Sequence, residues 1–146
     1  WARRFGRNRN EFVFRTDVQI SNDPLLPLEQ FAIGGAGSVR GYRENRLVRD
    51  NGWVSSAELR VPVFHDEMGV SRTQLLAFFD YGRSWNTDLS TPDPSTITSA
   101  GLGIRWSPTP RWKTALYGAV PFRNFDDSND DLQDAGIHFS ISHRLF

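Results

Sequence analysis

Residues 34 to 44 read Gly-Gly-Ala-Gly-Ser-Val-Arg-Gly-Tyr-Arg-Glu, and here residue type and spacing constrain the chemistry most. Gly34, Gly35 and Gly37 allow positive φ and close approach of other chain, so the segment reads as a loop that folds tightly and presents Arg40 at its tip. A guanidinium held inside protein needs a carboxylate to offset its desolvation. Glu58 and Asp80 are available for this, each lying mid-run on the more polar face of a strand-like segment. The chemistry offered is ion pairing, with no bond made or broken.

Other reactive residues lack the spacing that a reaction or a metal requires. Asp126, Asp127, Asp130 and Asp131 have neither the central glycine nor the distal glutamate of a calcium loop, and read as a solvated charge run. His65, His138 and His143 show no metal spacing, and Ser38, Ser55 and Ser56 sit in no nucleophile elbow. No catalytic residue, metal or cofactor is expected, and the chain is not read as an enzyme. Equal counts of basic and acidic residues, 17 and 17, argue against a nucleic-acid partner. With no cysteine, no disulfide framework or thiolate site can form.

The elements that must position Arg40, Glu58 and Asp80 are strands. Aromatic residues make up 13% of the chain, a composition that favours pleated sheet, and no apolar run is long enough for a membrane helix. Apolar and polar residues alternate with period two in six runs, about 12–21, 53–64, 74–85, 97–106, 112–122 and 135–145. In the second run Trp53, Ala57, Leu59, Val61 and Val63 oppose Ser56, Glu58 and Arg60. In the third, Leu75, Ala77, Phe79 and Tyr81 oppose Phe78, Asp80 and Gly82, so Asp80 points away from the most apolar side. Connections alternate between long and short, and the longest, 22–52, carries the glycine–arginine segment.

A soluble antiparallel sandwich also alternates. Two features favour a membrane barrel of the outer-membrane type: charges at mid-strand, namely Arg15, Asp17, Glu58, Arg60, Asp80 and Arg105, and tryptophans at strand ends, namely Trp53, Trp85, Trp106 and Trp112. A wet lumen and an aromatic girdle account for both. Lone strands in lipid leave backbone groups unpaired, so six strands are expected to be part of a larger closed barrel and to aggregate in water. The first residues contain no signal-peptide core and no start methionine, and the reading is a single unit from a longer chain.

The segment Ser38-Val39-Arg40-Gly41-Tyr42 resembles the VRGY loop motif of the Omp85 superfamily, and Phe78-Phe79-Asp80-Tyr81-Gly82 resembles its F-x-D-x-G strand motif. The fuller phrase runs from Leu26 to Gln30, through Gly34, Gly35 and Ser38 to Glu44, then Asp50-Asn51-Gly52 and Glu58-Leu59-Arg60-Val61-Pro62. It is most similar to the two-partner-secretion transporters, TpsB proteins of the haemolysin secretion/activation type. The resemblance implies an all-β fold: an antiparallel transmembrane β-barrel of sixteen strands, of which this chain is a C-terminal part of about six. It implies preceding periplasmic POTRA domains and an N-terminal barrel half, a re-entrant loop tucked into the lumen, and the outer membrane of a Gram-negative bacterium as location. Carried over by residue, Arg40 pairs with Asp80, and Glu58 lines the same region. A terminal aromatic, Phe146, resembles the barrel sorting signal.

Within this resemblance the expected function is a pore that secretes a large exoprotein, its partners being an unfolded polypeptide client and membrane lipid. An assembly insertase whose open seam templates client strands is the first alternative. A passive porin-like barrel is the second, disfavoured because a glycine-flanked single arginine is not a ring of selecting charges.

Overall fold

Period-two alternation yields strands that can only share a buried face by pairing side by side, and the computed structural model shows that arrangement. It describes residues 1–65, 71–109, 111–123, 125 and 136–144. The strands are β1 (Ala2–Phe5), β2 (Asn10–Gln19), β3 (Phe31–Ile33), β4 (Leu47–Arg49), β5 (Asn51–His65), β6 (Ser71–Trp85), β7 (Thr96–Trp106), β8 (Trp112–Pro121) and β9 (Ile137–His143). Seven form one antiparallel sheet in the order β1-β2-β5-β6-β7-β8-β9, and β3 and β4 form a separate hairpin. Among the described residues there is no helix.

The strand that the six-run reading lacks is β1. Its four residues, Ala-Arg-Arg-Phe, are too few and too charged to show alternation; β1 exists by pairing with β2, Ala2 opposite Val13 and Phe5 opposite Asn10. The 22–52 connection also differs from a loop without structure of its own. It contains β3 and β4, each three residues long, and its last two residues, Asn51 and Gly52, already belong to β5.

Register decides which residues share a face. Ser56, Glu58 and Val54 of β5 lie opposite Asp80, Phe78 and Gly82 of β6, and these in turn lie opposite Ser99, Gly101 and Ile97 of β7. Ser56, Glu58, Phe78, Asp80, Ile97 and Ser99 are all buried, under the β3–β4 hairpin and its connecting segment or beside it. The opposite face is bare and apolar: Leu102, Val120 and Phe139 are 69%, 66% and 62% exposed, and Leu59, Leu75, Phe79, Ile104, Leu116 and Ile141 accompany them. A sandwich would bury this face against a second sheet; here no described residue covers it. A continuous uncovered apolar face of this extent is a surface for lipid. Trp53 against Tyr81, ring centroids 5.4 Å apart, and Trp112 against His143 at 4.4 Å mark its two margins.

Candidate functional site

The site is built by laying the β3–β4 hairpin and residues 34–46 on the polar face of the sheet. The contact is apolar: Ile33, Val39, Tyr42 and Leu47 form one buried cluster with Val54 of β5 and Ile97 of β7. Close approach depends on Gly82 of β6. A Cβ there would stand 2.6 Å from the Ile33 Cγ2 atom and 2.8 Å from that of Val39, distances no real Cβ tolerates, so any side chain would lift the hairpin off the strand. The segment is also braced internally. The Ser38 hydroxyl donates to the Gly34 carbonyl at 2.9 Å and accepts from the Gly34 N–H at 2.8 Å, and the Gly35 N–H donates to the Tyr42 carbonyl at 3.0 Å.

This brace delivers Arg40, 6% exposed, into a cradle on β5 and β6. Its Nε and Nη2 donate to the two oxygens of Asp80 at 2.7 and 2.9 Å, a bidentate pair. Its Nη1 donates to Glu58 Oε2 at 2.8 Å and its Nη2 also to Ser56 Oγ at 3.1 Å, while its backbone N–H donates to Asp80 Oδ2 at 3.1 Å. The Ser56 hydroxyl closes the ring by donating to Asp80 Oδ1 at 2.6 Å. The guanidinium lies over the Phe78 ring, 3.5 Å from its centroid, with Tyr117 beyond at 5.3 Å. Burial works against the Arg40 charge, but the hydrogen bonds and charge of Asp80, then those of Glu58, outweigh it and raise its pKa above the ordinary value. Glu58 is shared onward with Arg60 at 2.5 Å, and Arg60 reaches Glu11 of β2 at 3.0 Å.

The residues after Arg40 reach the far strands. Gly41, at φ 90°, a conformation that favours glycine, packs on Ala119, and its N–H donates to His138 Nε2 of β9 at 3.0 Å. The Tyr42 hydroxyl donates to the Thr98 carbonyl at 2.9 Å and accepts the Arg123 N–H at 3.2 Å. The four residues Val39 to Tyr42 therefore touch β5, β6, β7, β8 and β9.

A second cluster fixes the base of the same segment. Asp50, 4% exposed, accepts from the Leu25 N–H at 3.0 Å, the Gln30 amide at 3.1 Å and the Thr87 N–H at 3.0 Å. These bonds, the two backbone donors first, hold its carboxyl below the usual carboxylate range against the opposing effect of burial. Asn51 accepts the Ser21 N–H at 2.7 Å and donates to Thr87 Oγ1 at 2.9 Å. Arg49 donates to the carbonyls of Ser84, Pro92 and Pro94; burial lowers its pKa, and Asp93 offsets part of that.

Of the residues singled out in the sequence, Val39, Arg40, Gly41, Tyr42, Glu58, Phe78, Asp80 and Gly82 are brought together. Gly34 and Gly35 have positive φ and lie against Arg43, Arg46 and Glu44. Gly37 is a correction: it has neither positive φ nor a neighbour within 4 Å of where a Cβ would stand, because the turn is made on either side of it, and its carbonyl accepts from Arg15 at 2.9 Å. Phe146 and the aspartates 126, 127, 130 and 131 lie outside the described residues. Ser56 and His138 also belong to the site, beyond the residues that the sequence singles out. Ser56 was detectable as the next same-face neighbour of Glu58; His138 lies nearly a hundred residues from Gly41 and carries no local signal. Among the described residues no three His, Asp or Glu side chains converge to hold a metal ion.

A family model described as haemolysin secretion/activation protein ShlB/FhaC/HecB matches residues 1–106. Among solved structures the chain is similar to CdiB from Acinetobacter baumannii, with a TM-score of 0.74 and 21% identity over 97% of this chain and 25% of that one. At this identity the likeness speaks to the fold, and the chain spans about a quarter of that relative's length. No curated protein sequence matches.

Proposed function

The chain belongs to the haemolysin secretion/activation protein family ShlB/FhaC/HecB, and from that premise we propose that it forms one wall and the re-entrant loop of a pore secreting one large exoprotein. It is part of an outer-membrane β-barrel of a Gram-negative bacterium. In the proposed parent, the barrel is completed by strands outside this chain, and periplasmic POTRA domains deliver an unfolded client to it.

The observation that carries the reading is Arg40 at the far end of a hairpin, buried in a cradle of Asp80, Glu58 and Ser56 on the face that a barrel would turn inward. A loop fastened by charge to the inner wall narrows the lumen at a defined height, and a lock made of ion pairs exchanges partners more readily than an apolar seam does. The Val39–Tyr42 segment thus both holds the pore constricted and lies where a passing chain would meet it.

The test is deletion of the gene for the full-length parent, with mass spectrometry of culture supernatant and outer membrane. Loss of one large exoprotein with other barrels unchanged is the expected result. A broad fall in many barrels would instead indicate an insertase, and no change in either fraction a passive barrel.

A further inference from the structure

The short-turn end of the inner face carries charge that the loop does not use. Arg4 of β1, Arg60 of β5, Arg72 of β6, Arg105 of β7 and Lys113 of β8 line one recess of about 360 Å³, together with Glu11, Gln74, Ser71 and Ser107. Register puts them on the same face as Glu58 and Asp80: Arg4 opposes Glu11, Glu11 opposes Arg60, and Arg105 opposes Gln74.

Their carboxylates are few and already engaged. Glu11 serves Arg4 at 3.4 Å and Arg60 at 3.0 Å. Glu58 serves Arg60 at 2.5 Å and Arg40 at 2.8 Å, leaving Arg105 at 4.0 Å. Arg72 donates to the Pro108 carbonyl, a neutral acceptor, and the Lys113 side chain makes no hydrogen bond or ion pair with the described residues, its backbone alone pairing with Ser142 of β9. Among the described residues that line this recess or the Arg40 cradle, six cations face the three carboxylates Glu11, Glu58 and Asp80. The carboxylates that follow β5 in the sequence, Asp66 and Glu67, lie outside the described residues.

We propose that this recess is a binding surface for acidic stretches of an extended polypeptide entering the lumen from the short-turn side. The inference rests on the secretion reading and adds the chemistry by which a delivered client is held at the entrance to the lumen. A small anion fits the array poorly. The cations sit on five of six adjacent strands, spread over roughly 24 Å at about 4.8 Å per strand, and do not converge on one oxyanion. An extended chain advances about 3.3–3.6 Å per residue, so about seven residues span the array and several carboxylates meet it at once. Cations on the wall of a cleft with low-dielectric sides focus their field into it, which raises the local concentration of an acidic chain.

The experiment uses the full-length transporter in detergent and a fluorescein-labelled ten-residue oligoglutamate, with oligolysine as control, read by anisotropy. Oligoglutamate is expected to bind, to bind less tightly as ionic strength rises, and to lose at least about fivefold in affinity in the Arg72→Glu/Lys113→Glu double variant. Neither residue contacts Arg40. Heat-modifiable gel migration reports whether the variant barrel is folded; if it is not, Arg72→Gln/Lys113→Gln is expected to give a smaller loss of the same sign. No binding by the wild type, equal binding of oligolysine, or affinity unchanged in a folded variant would overturn the proposal. Gene deletion tests translocation separately. Exoprotein loss without oligoglutamate binding sinks the charge proposal alone, and an unchanged supernatant with binding that depends on Arg72 and Lys113 sinks the secretion reading alone.

Discussion

At its far end the β3–β4 hairpin is held by side chains meeting side chains, whereas at its base side chains meet backbone. Arg40 finds Asp80, Glu58 and Ser56, all fixed on β5 and β6. Asp50, Asn51 and Arg49 find mostly N–H groups and carbonyls of Ser21, Leu25, Ser84, Trp85, Thr87, Pro92 and Pro94. The first arrangement depends on the sign of charge on two strands. The second depends on where other loops place their backbone. A lock of the first kind can be released by competition for one cation; an anchor of the second kind can be lost only by moving several segments together.

Arg40 carries the largest expected effect. Removing it leaves Asp80 buried without its cation and Glu58 with Arg60 alone, a loss of about 3–5 kcal/mol, so in the full-length parent Arg40→Ala should release the hairpin to protease and impair export. Asp80→Arg alone should do the same. If charge sign is what matters at the far end, Arg40→Asp combined with Asp80→Arg should restore part of both, and a double-mutant cycle should show coupling. Purely additive damage would mean that the two residues act separately, and the contrast with the base would collapse.

The next effect tests whether charge acts alone. Gly82→Val places methyl groups where Ile33 and Val39 now lie, and overpacking of this kind costs about 1–3 kcal/mol. Amide exchange at Val39 to Tyr42 should rise while Asp50 and its partners keep their protection. Equal loosening at both places would show that the hairpin moves as one body, with no separate far end and base.

These two regions also differ in how far the sequence discloses them. Alternation places Glu58 and Asp80 on polar faces, and the glycines around Arg40 mark a tight segment, so the candidate carboxylates are legible from charge and spacing, whereas the Arg40–Asp80 pairing itself is implied only by the family resemblance. Asp50 and Asn51 were visible only as part of a family phrase, because their partners are backbone groups of other loops, and backbone carries no residue type to read. The strand β1 escaped for a related reason. Its four residues are set by the register of β2, not by a pattern of their own. The 22–52 connection read as loop because β3 and β4, at three residues each, are shorter than any alternation that can be recognised.

Acid should separate the base from a simple steric anchor. Asp50 has its pKa lowered in the fold, so its contribution is complete above the ordinary carboxylate range and is lost as pH falls through the folded value. Protection factors at Leu25 and Thr87 should therefore fall on acidification. In Asp50→Asn they should be low at every pH and show no such titration, since an amide keeps one acceptor oxygen and no charge. A wild-type profile flat to low pH would mean that packing, not the carboxylate, holds the base.

The smallest expected effects lie between the two regions, at the residues joining the far end to the later strands. Tyr42→Phe removes a hydroxyl that donates to Thr98 and accepts from Arg123, and His138→Ala removes the acceptor of the Gly41 N–H. Each is a neutral hydrogen bond worth about 1 kcal/mol, well below the ion-pair lock. The imidazole can accept at Nε2 only when that nitrogen is unprotonated, so His138→Gln, which offers a carbonyl oxygen at similar reach, should recover part of what His138→Ala loses in protection of the Gly41 amide. If charge fastens the hairpin and these bonds only orient it, both variants should keep Arg40 on Asp80, and a Cys substituted at Ala36 should react with a maleimide no faster than in the parent background. Faster labelling in His138→Ala, approaching that in Arg40→Ala, would move β9 from the margin of the lock to its centre.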